Sequence, residues 1–169
     1  MTWIVSWPVT DKVIINASPL IFLSRSHHLT LLKSFADEVW VPEPVAEEIL
    51  QRGQQDITAQ AIKKTAWLIT QPVEHTPISI LEWRLGVGES SVLALGLAHT
   101  GTDVIIDDLA GRKCADSLDI PVRGTLGLVL AAKKHGIIPE ARPVIEDMMS
   151  TGLYLSKQIL ELALEKVGE

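Results

Sequence analysis

Cysteine is nearly absent: the 169 residues contain one, Cys114. A single thiol can form neither an internal disulfide nor a cysteine-based zinc cage, and a reducing cytoplasm is the expected home. Long apolar runs are missing as well. Hydrophobic residues make up 47% of the chain, yet no run reaches the roughly 18–20 residues that a membrane span needs. The opening "MTWIVSWPVTDK" carries no positive residue before Lys12 and no long apolar stretch with a small-residue cleavage site, so no signal peptide is expected. Basic excess is lacking too: 15 Lys and Arg stand against 21 Asp and Glu, a net charge of −6. That balance argues against broad, non-specific nucleic-acid binding, although a cluster of metal-binding carboxylates would itself contribute negative charge. Neither the histidines (27, 28, 75, 99 and 135) nor the tryptophans (3, 7, 40, 67 and 83) are spaced as a metal site or a base-stacking array. His27 and His28 are expected in a surface turn and Trp40 in the core.

What is present is an alternation of strand-like and helical segments. Strands are expected at "KVIIN" (12–16), "EVWVP" (38–42), "LITQPV" (68–73), "DVIID" (103–107) and "IPVRG" (120–124). Helical spacing covers "LTLLKSFA" (29–36) and "EPVAEEILQRG" (43–53), the latter with Pro44 in its first turn and Gly53 as its stop. Further helical stretches are expected over 56–67, 78–86, 88–101 (opened by Gly88, with Glu89 in its first turn) and 109–118. The pattern continues over 125–136 and through a C-terminal helical extension, 139–169. The strands alternate little, as expected of a parallel sheet covered on both faces. The expected fold is α/β: a three-layer α/β/α sandwich around a mainly parallel sheet of five strands. No repeat or long linker divides residues 1–169, so a single domain is expected.

In an open parallel sheet, ligands bind beyond the carboxyl ends of the strands. Asn16 ends the first expected strand, and Asp107 with Asp108 ends the fourth. Glu89 opens the helix feeding that fourth strand, while Glu47 and Glu48 lie in the helix after the second. Convergent oxygens without cysteine or a histidine motif suit a hard cation such as Mg²⁺ or Mn²⁺. Each residue also has a plainer use. Asp108 can cap the helix from Leu109, Glu89 can favour a helix N-terminus, and Asn16 can be a turn residue. The joint occurrence at one sheet edge is what favours a site.

"VIINASPLIFL", "VPEPVAEEI", "LGVGESSVLALGLA" and "VIIDDLAGRKCADSLDIPVRGTLGLVLAAKKHGII", in that order, resemble a PIN domain. The likeness covers roughly residues 12–140 and is nearest the branch with a "GTLGxLxxAKxxG"-type segment after the acidic pair. The resemblance implies Mg²⁺- or Mn²⁺-dependent cleavage of RNA, often by toxins held in check by an antitoxin protein (the VapC-like pattern), with a homodimer expected. Carried over segment by segment, it implies metal positions at Asn16, Glu48, Glu89 and the Asp107/Asp108 pair, the carboxylates among them being catalytic. It leaves open which aspartate of the pair points inward, and it prefers Glu48 to Glu47. The family usually ends its first strand with Asp; Asn16 brings no charge, which implies weaker metal affinity and leaves room for a module that binds RNA or a protein without cutting. Substrate contacts are expected from Arg112 and Arg123, with Ser18 either orienting water or phosphate or capping its helix. The apolar stripe of the tail (159, 160, 163, 164 and 167) is read as core packing, with a dimer or antitoxin contact as its functional alternative.

Overall fold

The computed structural model describes residues 7–169, so the signal-peptide reading of the first segment and Trp3 lie largely outside the described residues. Five strands form one sheet: β1 (Thr10–Ile15), β2 (Ala36–Pro42), β3 (Leu68–Gln71), β4 (Val104–Ile105) and β5 (Val122–Arg123). Their order across the sheet is β3-β2-β1-β4-β5, and every pairing is parallel. Successive strand residues point to opposite faces. Val13, Ile14 and Ile15 are nevertheless all buried, as are Val104, Ile105 and Ile106, so helices cover both faces. The result is the expected α/β/α sandwich, with a sheet wholly rather than mainly parallel.

The helices are α1 (Ala17–Arg25), α2 (Glu43–Leu50), α3 (Ile57–Lys64), α4 (Ile78–Leu81), α5 (Val87–Ala98), α6 (Leu109–Ser117), α7 (Thr125–Lys134), α8 (Ala141–Ser150) and α9 (Lys157–Glu165). Side-chain caps start three of them. Asp56 accepts from the Ala59 amide, Asp108 from Gly111 and Ser156 from Ile159, each satisfying a donor that has no partner inside its helix. Ile145, Met148, Leu160 and Leu164 of α8 and α9 join the same buried core as the strands. The tail stripe therefore packs inward, as the plainer reading expects.

Three local expectations change. The 29–36 segment is a 3-10 turn over Leu29–Ser34, because Ala36 already belongs to β2 and the Phe35 carbonyl accepts from Thr10 in the sheet. The 78–86 segment is helical for one turn only; Arg84 takes a left-handed backbone (φ 53°) that ends it. α5 is opened by Gly86, not Gly88. Trp40 is half-buried, packed edge-on against His99 under the Lys12 ammonium. His27 does sit in a turn, with φ 63°.

Helix α5 meets the sheet through Gly96. A Cβ there would stand 2.8 Å from Val104 Cγ1 and 3.0 Å from Ile120 Cγ2, both side chains buried. Gly96→Ala is therefore expected to destabilise the fold by about 1–3 kcal/mol through overpacking. Urea denaturation checks this; an unchanged midpoint would mean that the α5–β4 contact yields freely.

Candidate active site

From β1 the chain runs outward through β2 to β3, then returns past β1 to β4 and β5. The direction reverses between β1 and β4, and a crevice opens at that switch point beyond the carboxyl ends of the two strands. Asn16 follows β1 there, and Asp107 follows β4 by two residues. The backbones are tied at this point, the Asn16 amide donating to the Ile105 carbonyl at 3.0 Å.

Asn16 stands at the N-cap of α1 but does not cap it. Its side chain is buried and points across to α5, where Nδ2 donates to Glu89 Oε1 at 3.2 Å. Its Oδ1 is buried with no hydrogen-bond partner, an expensive state for an amide oxygen. Gly88 makes this approach feasible. A Cβ there would lie 3.1 Å from Asn16 Oδ1 and 3.5 Å from Glu48 Oε2. The two oxygens thus flank one glycine, and Glu48 rather than Glu47 is the glutamate of α2 on this side. The Glu89 carboxylate folds back over the N-terminus of its own helix, close enough that a Cβ on Gly86 would sit 2.5 Å from Oε2. A carboxylate in that place is also favoured by the helix dipole.

Asp107 is gripped by the start of α7. Its Oδ1 accepts from the Thr125 amide at 2.7 Å and its Oδ2 from the Thr125 hydroxyl at 2.5 Å. Burial pushes the Asp107 carboxyl above its ordinary range, against the pull of the Thr125 hydrogen bonds and the nearby Arg112 charge. Arg112 reaches toward the same carboxylate over Gly124, where any Cβ would collide with Nη1. Asp108 has a different post: it is exposed, and its Oδ2 accepts from the Gly111 amide at 2.8 Å as the cap of α6.

Arg123, at the end of β5, is half-buried. Its guanidinium lies over the Trp7 ring and 3.9 Å from Asp103 Oδ2. Burial raises the Asp103 pKa from its ordinary 3.8, with Arg123 drawing it back. Ser18 is exposed in the first turn of α1 and caps nothing among the described residues, contrary to the capping reading. Glu89, Asp107, Asp108, Arg112, Arg123 and Ser18 all line one cleft of about 590 Å³. Asn16 and Glu48 are not among the residues that line it; they meet beside Gly88. Thr125, Gly124 and the α8–α9 loop that lines the cleft were not singled out by sequence, and Gly88 was read only as the opener of its helix. A Thr at a helix start reads as an ordinary first-turn residue, and no local signal marks a glycine as needed for close approach.

Among the described residues, no three His, Cys, Asp or Glu side chains cluster as a metal-holding group. The donor set still fits a hard cation. Asn16 Oδ1 is an orphaned oxygen aimed at space kept open by Gly88, with Glu48 and Glu89 beside it. Mg²⁺ needs only one or two carboxylates when water and substrate supply the remaining ligands.

Two predictions follow from these assignments of role. Asp108→Ala should cost about 1 kcal/mol through loss of the α6 cap; an unchanged midpoint in urea denaturation would mean that the cap contributes nothing. For Asp103, a raised folded pKa means that its contribution to stability is greatest below pH about 3.8, the ordinary value, and is lost as pH rises through the folded value. Asp103→Asn should therefore flatten the fall in stability from pH 4 upward, read by urea melts across a pH series.

The model of a family described as PIN domain matches residues 12–169, from β1 to the end of the chain. A search of curated proteins found no match. No helix among the described residues is long and apolar enough to cross a membrane. PIN domains are generally nucleases, and those nucleases usually use divalent metal ions. By the match over its sheet, the carboxylate-lined cleft and both C-terminal helices, the chain belongs to the PIN-domain family.

Proposed function

We propose that this chain is a Mg²⁺- or Mn²⁺-dependent endoribonuclease that hydrolyses RNA phosphodiester bonds in the cytoplasm, as the toxin of a toxin–antitoxin pair. The observation that carries the reading is the buried, unpartnered Oδ1 of Asn16 close to Glu48, with Asn16 Nδ2 bonded to Glu89, which lines the same cleft as Asp107. Asn16, Glu48, Glu89 and Asp107 would hold the cation, with Asp108 serving α6. The cation would supply Lewis acidity, activating water and stabilising charge on the phosphate.

The chain's own residues set the rest. Thr125 fixes the rotamer of Asp107 through two hydrogen bonds, so that carboxylate is pre-positioned before substrate arrives. Arg112 lies beside it with a planar guanidinium suited to bidentate contact with phosphate. Arg123 adds positive charge at the same wall, held in place by Asp103 and Trp7. Ser18 presents a hydroxyl at the cleft that can donate to a phosphate oxygen. The toxin role and the antitoxin partner rest on the VapC-like order of segments. Ile78, Leu81 and Val87, all exposed, offer an apolar surface for a second copy in a homodimer. The single-domain reading is supported by one buried core that spans β1 to α9.

A second reading, a PIN-type module that binds RNA or a protein without cutting it, is favoured by one residue. Asn16 contributes an oxygen but no charge, which lowers the attraction for a divalent ion. Calorimetry with Mg²⁺ and Mn²⁺ separates the two. Wild type should bind, Asn16→Asp should bind more tightly, and Asp107→Asn should bind weakly. RNA cleavage should fall at least about 100-fold in Asp107→Asn, as expected when several kcal/mol of transition-state stabilisation are removed. Binding and cleavage seen only in Asn16→Asp would establish the second reading.

A further inference from the structure

The loop between α8 and α9 lines the same cleft as the carboxylates. Gly152 turns the chain with φ 120° and passes close to Phe22 of α1, where an added Cβ would stand 3.5 Å from Cε1. After it, Leu153 and Leu155 are half-buried and pack against the core. The residue between them faces the other way: Tyr154 is 86% exposed, and all three line the cleft that holds Glu89, Asp107 and Arg112. Tyr154 has no hydrogen bond or ring contact among the described residues. An unpartnered ring on the wall of a cleft gives a ligand with a flat apolar face a surface to lie on.

We propose that Tyr154 is a substrate-binding residue, a platform on which an unpaired base of single-stranded RNA stacks while the adjoining phosphate lies against Arg112. The inference rests on the ribonuclease reading above and adds a side chain that would hold the substrate's base. Three features of one cleft support it. The Arg112 guanidinium stands near Asp107 on the cleft wall and offers a phosphate a positive charge. The Tyr154 ring gives a base a face to lie on and lines the same cleft, with apolar Leu109 and Leu126 also on its walls. Its volume of about 590 Å³ is in the range, roughly 300–1,000 Å³, of sites that enclose ligands of nucleotide size. The backbone at Tyr154 is held because both neighbours pack against the core, so little loop ordering is lost on binding. Stacking uses the π-face common to all bases and needs the base out of a helix. The site should thus take single strands with little preference for sequence and should reject duplex.

The test uses a fluorescein-labelled single-stranded RNA of mixed sequence, the same sequence closed into a hairpin duplex, and a single strand carrying 2-aminopurine. Wild type, Tyr154→Phe, Tyr154→Ser and, as a surface control on α9 outside the cleft, Leu162→Ser are compared by anisotropy. Tyr154→Ser should weaken single-strand binding on the order of ten-fold and abolish the quenching of 2-aminopurine, while Tyr154→Phe and Leu162→Ser keep both. Circular dichroism confirms that each variant is folded. Wild-type binding to single strands with Tyr154→Ser unchanged would overturn the platform and leave the ribonuclease reading standing. Equal or tighter binding of the duplex would also overturn it. Failure of wild type to bind either RNA would remove both the platform and the reading beneath it.

Discussion

The close approach of α5 to the end of β1 is the constraint on which the site depends. Asn16 is buried at the sheet's switch point, and Gly88 lets the first turn of α5 come against its side chain. The amide nitrogen is satisfied by Glu89, while the oxygen is left bare. A buried carbonyl oxygen without a donor is a cost that most interiors avoid. Here the cost falls at the one edge where three separate elements bring carboxylates, so an arriving cation would offset it.

The neighbouring aspartates illustrate how one dipeptide divides its work. Their carboxylates leave the strand in opposite senses, one toward the start of α7 and the other toward the start of α6. Each meets a helix N-terminus, where backbone N–H groups lack partners and negative charge is welcome. Mutual repulsion is thereby reduced without a cation. What distinguishes Asp107 is its setting: burial, the Thr125 hydroxyl and the Arg112 charge act on it together. Asp107 is thus held by the start of α7 inside the cleft wall, whereas Asp108 stays exposed as the cap of α6.

The C-terminal helices belong to this arrangement. Leu160 and Leu164 lie in the common core, and Ile159 with the α8–α9 loop lines the cleft. The Glu169 carboxylate accepts from the amides of Ala141 and Arg142 and so ties the end of α9 to the start of α8. A segment that reads along the chain as an appendage is a wall of the site in space.

The hydrophobic pattern by itself determined the class of fold. Unbroken apolar strands separated by helical stretches admit little besides a doubly covered parallel sheet, and the ends of β1 and β4 mark where its crevice opens. The ordered segments determined the family as well. Tertiary structure alone decided which side chains meet. Whether Asp107 or Asp108 turns inward depends on Thr125, 18 residues away for Asp107; whether Glu47 or Glu48 faces the site depends on the angle at which α2 meets α5. The short 3-10 turn at 29–34 and the single turn of α4 were hidden for a related reason. Helical spacing describes a preference of neighbours, while the sheet ladder at Phe35 and the left-handed backbone at Arg84 are imposed from outside the segment. Tyr154 is the clearest case: only the packing of Leu153 and Leu155 on either side turns its ring toward the cleft.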